Sequence, residues 1–397
     1  MFAFLVYPWS RTFLPTVLVE VMAYLHIQVA PGGLLSSVYN LGVGISSLAA
    51  GSTADRIGPK RTLQIGLLIS AISILLTGFA TSFAEMVLFA VSTGIGLSFW
   101  ATPSYLLMAG WFNERRGLAF GILTVAFGFG LFSGPLVAST IYVASGNWRI
   151  PFILLAAIAL AIAAISLPVK TAKRPENTYP SYSSEADGER KVQRFPFAKL
   201  QVNALFLTFS FAAVVVALTQ STFVALFVTY LRTFLSFTAV NAAFAASFFG
   251  IGSALGGPLA GISGDRFGRI PVTAAGLGAS VGVSYYLFIF GRDIVVISAC
   301  SFLLGMLLSS FVFLNVLVSL QELFGPQYMG IGTGYFYTLY ALSGVPAGYI
   351  LGYLEQRLGW TIGSEIIFIV IPLICLALIV AVSLANRRRS AQSVKAS

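Results

Sequence analysis

The sequence predicts an all-α membrane protein of twelve transmembrane helices in two pseudo-symmetric six-helix bundles. Three observations carry that expectation: a composition too apolar for water, twelve hydrophobic stretches of spanning length, and a motif that recurs 210 positions later.

Of 397 residues, 57% are hydrophobic and only 9% are charged, where a soluble domain carries about 25% charged residues. A helix that crosses a bilayer needs about 20 mostly apolar residues. Stretches of that kind fall at 2–24, 32–54, 62–80, 84–108, 117–142 and 150–169, then at 203–226, 239–263, 272–290, 294–320, 329–352 and 363–385. Most connections are a few residues long, so neighbours run antiparallel, and each helix satisfies its own backbone groups as hydrocarbon demands. The first stretch lacks a basic leader and a small-residue cleavage site, which makes it a retained helix rather than a secretory signal.

Residues 1–169 form the first bundle. Residues 170–199 are polar, rich in Pro, Ser and both charge signs, and form a cytoplasmic linker rather than a packed unit. Residues 200–385 form the second bundle, and 386–397 a basic tail. The net charge of +10 does not indicate nucleic acid, because 18 of the 23 Lys and Arg residues fall on one side of the predicted topology. Arg149, Arg232, Arg292 and Arg357 are expected in loops on the other side. This bias places both termini in the cytoplasm, and the chain in the cell membrane.

Gly51, Asp55, Arg56 and Gly58 recur as Gly261, Asp265, Arg266 and Gly268, each at the end of the second helix of its half. Gly117 and Gly121 are echoed by Gly330 and Gly334. The run from Gly51 to Arg61 resembles the loop 2–3 signature of the major facilitator superfamily, and Gly261 to Arg269 resembles its second-half copy. The second copy departs from the first in carrying Ile270 and Pro271 where Lys60 and Arg61 stand. The resemblance covers essentially the whole chain and implies the superfamily fold, with a substrate site between the halves near mid-membrane. It also implies gating roles: Asp55 would face the start of helix 11 and Asp265 the start of helix 5, near Arg116. These latches would close the cytoplasmic side in the outward-facing state. Gly51 and Gly261 are expected to permit close helix approach.

The segment from Trp111 to Gly121 is similar to that of organic-anion members, including monocarboxylate and oxalate/formate carriers. Helix 8 contains no Arg and helix 11 no Lys, where those carriers often hold substrate-pairing cations. Gly130 to Pro135 resembles a glycine-proline motif of drug/proton antiporters, echoed by Gly344, Pro346 and Gly348, and tight packing of small residues is the preferred explanation for it.

Arg11 lies near the centre of the first stretch, where Arg costs about 2.5–3.5 kcal/mol on insertion scales. By the resemblance, that helix lines the cavity, so Arg11 is placed to pair with an anion, and its fork suits a carboxylate. Glu20 falls about 180° around the helix from it and is a candidate for proton coupling. The uncharged cavity candidates are Tyr39, Asn40, Tyr105, Gln220, Asn315 and Tyr340, together with Trp100 and Tyr335. His26 is expected near a loop. Cys300 and Cys375 lie in separate stretches and make neither a disulfide framework nor a metal site. Without a nucleophile-base pair or a phosphate loop, no enzyme and no cofactor is predicted.

The expected function is secondary active transport of a small organic anion of carboxylate type by alternating access, coupled to protons. Proton-coupled efflux of amphipathic or cationic drug-like compounds is an alternative, as is a sensor that binds ligand without moving it. The expected partners are the small-molecule substrate, protons and the lipid bilayer, with the chain acting as a monomer.

Overall fold

The computed structural model describes residues 3–111, 116–167, 203–324 and 329–396. Among these, every regular element is helical. In the first half they are α1 (Ala3–Thr16), α2 (Leu18–Leu25), α3 (Val29–Ser37), α4 (Tyr39–Ile57), α5 (Pro59–Phe79), α6 (Phe83–Trp111), α7 (Arg116–Ser145) and α8 (Ile150–Ser166). The second half holds α9 (Ala204–Thr233), α10 (Ala239–Phe267), α11 (Arg269–Phe290), α12 (Ile294–Met306), α13 (Phe313–Phe324), α14 (Met329–Gly344), α15 (Ala347–Glu365) and α16 (Ile371–Ala396). Two short π-helical segments, Leu307–Val312 and Ile366–Val370, join α12 to α13 and α15 to α16.

Among the described residues, eight segments are long and apolar enough to cross a membrane, the last of them running from 331 to 385. Other expected crossings are shorter or broken, and the breaks have physical causes. Pro15 has no N–H to give the carbonyl of Arg11, and the first stretch divides at Val17. The second divides at Val38, between α3 and α4. The eleventh divides around Pro346, and α15 itself breaks at Gly359, where φ is 82°.

The duplicated signature has one backbone conformation in both copies. Gly58 has φ 91° and ψ 149°, and Gly268 has φ 88° and ψ 150°. A Cβ is disfavoured there, which is why glycine stands at both turns. These two turns mark one end of the bundle. The opposite end, called the far end below, carries the turns after His26, Ala80, Gly146, Phe234 and Gly291.

The outer surface is apolar, with Phe79, Leu88, Ile165 and Val295 all at least 60% exposed, as hydrocarbon requires. Buried hydroxyls mostly turn back on their own helices: Thr12, Thr16, Ser46, Thr77 and Thr219 each donate to the carbonyl four residues earlier. This satisfies them without a partner helix. Where backbones cross, glycines face each other. A Cβ on Gly42 would overlap the carbonyl of Val91 in α6, and one on Gly94 the carbonyl of Tyr39 in α4. Gly94→Ala should therefore destabilise the first bundle by about 1–3 kcal/mol, the usual cost of overpacking. Thermal melting in detergent would show it as a lowered midpoint.

The halves meet along two seams. One runs between α7 and α10, where Gly128 sits against Gly250 and Ala254. The other runs between α3 and α15, where Gly33 meets Gly348 backbone to backbone and the Ser37 hydroxyl donates to the Val345 carbonyl at 2.7 Å. At the far end the two halves are closed against each other.

Candidate functional site

Arg11 lies in α1, six residues before the Val17 break. Its Nε donates to the Tyr39 hydroxyl at 2.7 Å, and its guanidinium carbon lies 5.1 Å from the centre of that ring. Tyr7, four residues earlier and so on the same helix face, and Tyr340 from α14 also interact with the guanidinium. Tyr7 stacks on Trp100 at 5.6 Å and leans on Phe127 at 5.5 Å, so an aromatic wall backs the cation. Among the described residues, no carboxylate forms an ion pair with Arg11.

Tyr340 donates to Gln220 Oε1 at 2.9 Å, and Gln220 Nε2 donates to the Leu308 carbonyl at 2.8 Å. The cluster therefore joins α1 and α4 of one half to α9, α14 and the π-helical segment of the other. Asn40 packs one turn further along α14, its amide against Gly344 and near Ser221, and its Nδ2 has no partner. A cavity of about 30 Å³ adjoins Arg11 on the first-half side, lined by Ser10, Ser36, Tyr39, Thr77 and Thr93 among apolar residues. The buried Ser36 hydroxyl there has no partner. Such a volume suits an ordered water.

Other candidates lie elsewhere. Asn315 is fully buried in α13, where its Nδ2 donates to the carbonyls of Ala260 and Phe311 and its Oδ1 accepts from Arg269 at 3.4 Å. It braces the second-half signature rather than joining Arg11. Tyr335 faces Ser210 at 3.1 Å and stacks on Phe206. The side chains of Tyr105, Asp55 and Arg116 lie outside the described residues. Glu20 points away from Arg11, into a pair with Arg232: NH1 to Oε2 is 2.8 Å and NH2 to Oε1 is 2.5 Å. Arg232 was expected in a loop. It lies instead in the last turn of α9, one residue before its end.

At the signature loops, Asp265 accepts from Arg269 within its own half, and Arg269 also approaches Glu322 at 3.8 Å. Arg56, Arg61 and Arg266 are exposed. Gly51 has open space where a Cβ would stand, and at Gly261 the nearest atom is Leu314 Cδ2 at 3.9 Å. Neither glycine supports a close helix approach in this conformation. Those approaches are made by Gly33, Gly42, Gly94, Gly250 and Gly348. Gly130 and Gly134 pack onto Pro8 and Thr12 of α1, so the glycine-proline motif has a packing role here.

Sequence reasoning overlooked Arg232 and Tyr7. The i, i+4 spacing of Tyr7 and Arg11 was the available signal for the second. An Arg six residues beyond an apolar stretch that itself lacks charge was the signal for the first.

A family profile described as "Major Facilitator Superfamily" matches residues 1–348. A protein of Escherichia coli named as a probable L-galactonate transporter is 28% identical over 132 residues, 33% of this chain and 29% of that one. The multidrug efflux protein YfmO of Bacillus subtilis is 29% identical over 164 residues, covering 40% and 41%. The match thus spans about two-fifths or less of either relative. A solved bacterial homolog of the human lysosomal transporter Spinster, inward-facing and unoccupied, superposes with a TM-score of 0.78 at 15% identity, over 95% of this chain and 94% of that one. At that identity the likeness shows the fold.

Proposed function

Since this chain belongs to the Major Facilitator Superfamily, it is a multi-pass membrane transporter and not an enzyme, and we infer that its cargo is a small organic anion of carboxylate type. The observation that carries this reading is the mid-helix Arg11, surrounded by phenols and amides and unmatched by any carboxylate among the described residues. A guanidinium in such surroundings favours an anion with two oxygens that can accept from its fork. The same feature disfavours a cationic cargo, which would meet a like charge.

Transport proceeds by alternating access. The far end is closed in this conformation, and the Glu20–Arg232 pair and the Gly33–Gly348 crossing must part for the cargo to pass there. Asp55 and Asp265 are the latches of the opposite state, in which the Asp265 carboxylate leaves Arg269 for the other half. Protons drive the cycle, with Glu20 as the group that takes them up. The termini lie on the cytoplasmic side of the cell membrane, as the distribution of basic residues indicates.

The test is uptake into proteoliposomes from a panel of organic acids, with and without a pH gradient. Arg11→Ala should weaken apparent affinity about 10–100-fold, the worth of charge-assisted hydrogen bonds, and Arg11→Lys should recover only part because it lacks the planar fork. Unchanged carboxylate uptake by Arg11→Ala would overturn the reading. A flat response to the pH gradient would remove the proton.

A further inference from the structure

The cation at the far end is arranged as a carboxylate-binding site. Arg232 meets Glu20 fork to fork, NH1 donating to Oε2 at 2.8 Å and NH2 to Oε1 at 2.5 Å, the bidentate geometry in which a guanidinium holds a carboxylate most strongly. Tyr142 of α7 interacts with both groups. Among the described residues, Glu20 is the only carboxylate within ion-pair distance of Arg232, and the two side chains keep 15% and 13% of their surface open. The pair joins α2 of one half to α9 of the other, so cargo cannot cross the far end until it parts. Parting it with no other anion at hand leaves a largely desolvated guanidinium without a counter-charge, the costly way to open an ion pair. A carboxylate solute removes that cost, because it offers the same two oxygens to the same fork. Glu20 stands in the first turn of α2 and keeps the favourable field of that helix N-terminus after it lets go. It lies nine residues beyond Arg11, at about 1.5 Å of helix each, and points away from it, so a small acid cannot touch both guanidinium groups at once.

We propose that Arg232 is a second anion-binding residue, an entry subsite that takes the carboxylate of the cargo in exchange for Glu20 as the far end opens. This rests on the carboxylate reading of the cargo. One ion pair replaces another, so Arg232 is never left alone, and the Glu20 carboxylate turns to the water that enters between the parting halves. Glu20 is thus a tethered competitor for the subsite, and binding of the acid and opening of the far end are a single event.

Lactate tests this on the purified protein, with a single cysteine introduced beside the α3–α15 seam as the reporter of far-end opening. Lactate replaces chloride at constant ionic strength, so that only the kind of anion changes. In the wild type, lactate should speed modification of the cysteine. Glu20→Gln removes the competitor and should lower the lactate concentration that gives half the effect by about 10–100-fold, since the pair no longer holds back the competent state. Adding Arg232→Ala to Glu20→Gln, where no pair is left to break, should raise that concentration again by about 10–100-fold, the worth of charge-assisted hydrogen bonds. A latch that only holds the halves together predicts instead that Glu20→Gln and the double variant open alike and respond alike to lactate. That result, or a wild-type rate indifferent to lactate, overturns the inference and leaves the role of Arg11 standing wherever uptake of carboxylates still depends on it. A lactate response that needs Arg232, in a protein whose carboxylate uptake is unchanged by Arg11→Ala, upholds the entry subsite and overturns the central one.

Discussion

Gly348→Val is expected to stop transport almost completely, by 100-fold or more, while the protein still folds and inserts. The α3–α15 seam has no room for a side chain: a Cβ on Gly348 would lie 2.2 Å from the carbonyl oxygen of Gly33, and a Cβ on Gly33 2.2 Å from that of Gly348. Backbone cannot yield as the end of a flexible side chain can, so the two helices must separate. Separation also stretches the bond from Ser37 to the Val345 carbonyl and lifts Gly352 from Ala30. Because the seam joins the two halves rather than two helices of one bundle, the cost falls on far-end closure and not on the fold of either half. A single cysteine introduced beside the seam should become reactive to membrane-impermeant thiol reagents in Gly348→Val and remain protected in the wild type. Gly51→Ala is the control, since Gly51 has open space around it. Transport at the wild-type rate by Gly348→Val would show that the far end does not close through this crossing.

Arg232→Ala should shift the balance between states by roughly 10–100-fold, about 1–3 kcal/mol, away from far-end closure. The pair spans the halves, α2 to α9, and both side chains are about 85% buried, with 15% and 13% exposure for Arg232 and Glu20. Removing one partner leaves the other charge largely desolvated, the costly case for ion pairs. The residual exposure places the value below the 3–5 kcal/mol of a fully buried pair. Tyr142 of α7 approaches the same pair, so three helices share it. A double-mutant cycle with Glu20→Ala checks the coupling: the double variant should be less perturbed than the sum of the single ones. Strict additivity would mean that the two side chains do not hold the halves together.

The gross plan was legible because hydrocarbon imposes a simple rule on a sequence: long apolar stretches, short polar turns, and glycine where the duplicated loop needs a positive φ. Gly58 and Gly268 carry that last signal at the same spacing and with the same backbone angles. Arg11 stood out because a charge deep in an apolar stretch is costly, and its link to Tyr39, Gln220 and Tyr340 followed from choosing polar residues at mid-stretch. The same criterion failed for Asn315, since depth says nothing about azimuth: its helix turns it toward Ala260 and Arg269 instead of the centre. The close crossings were also misplaced. The motif glycines Gly51 and Gly261 drew attention by their pattern, whereas Gly33 has no repeat or signature to mark it and Gly348 was marked only as an echo of the glycine-proline motif; their crossing becomes visible only when α3 and α15 are seen against each other.

The lone guanidinium near the middle of α1 has an electrical consequence. On the proposed reading, the empty protein holds a positive charge at Arg11, and binding of a monoanion there would neutralise it locally. A membrane potential acts on a charge with about 2.3 kcal/mol per 100 mV across the full field. On the proposed anion reading, the return of the empty protein is therefore voltage-sensitive, and a proton taken up at Glu20, which leaves Arg232 unpaired, would make the loaded step sensitive as well.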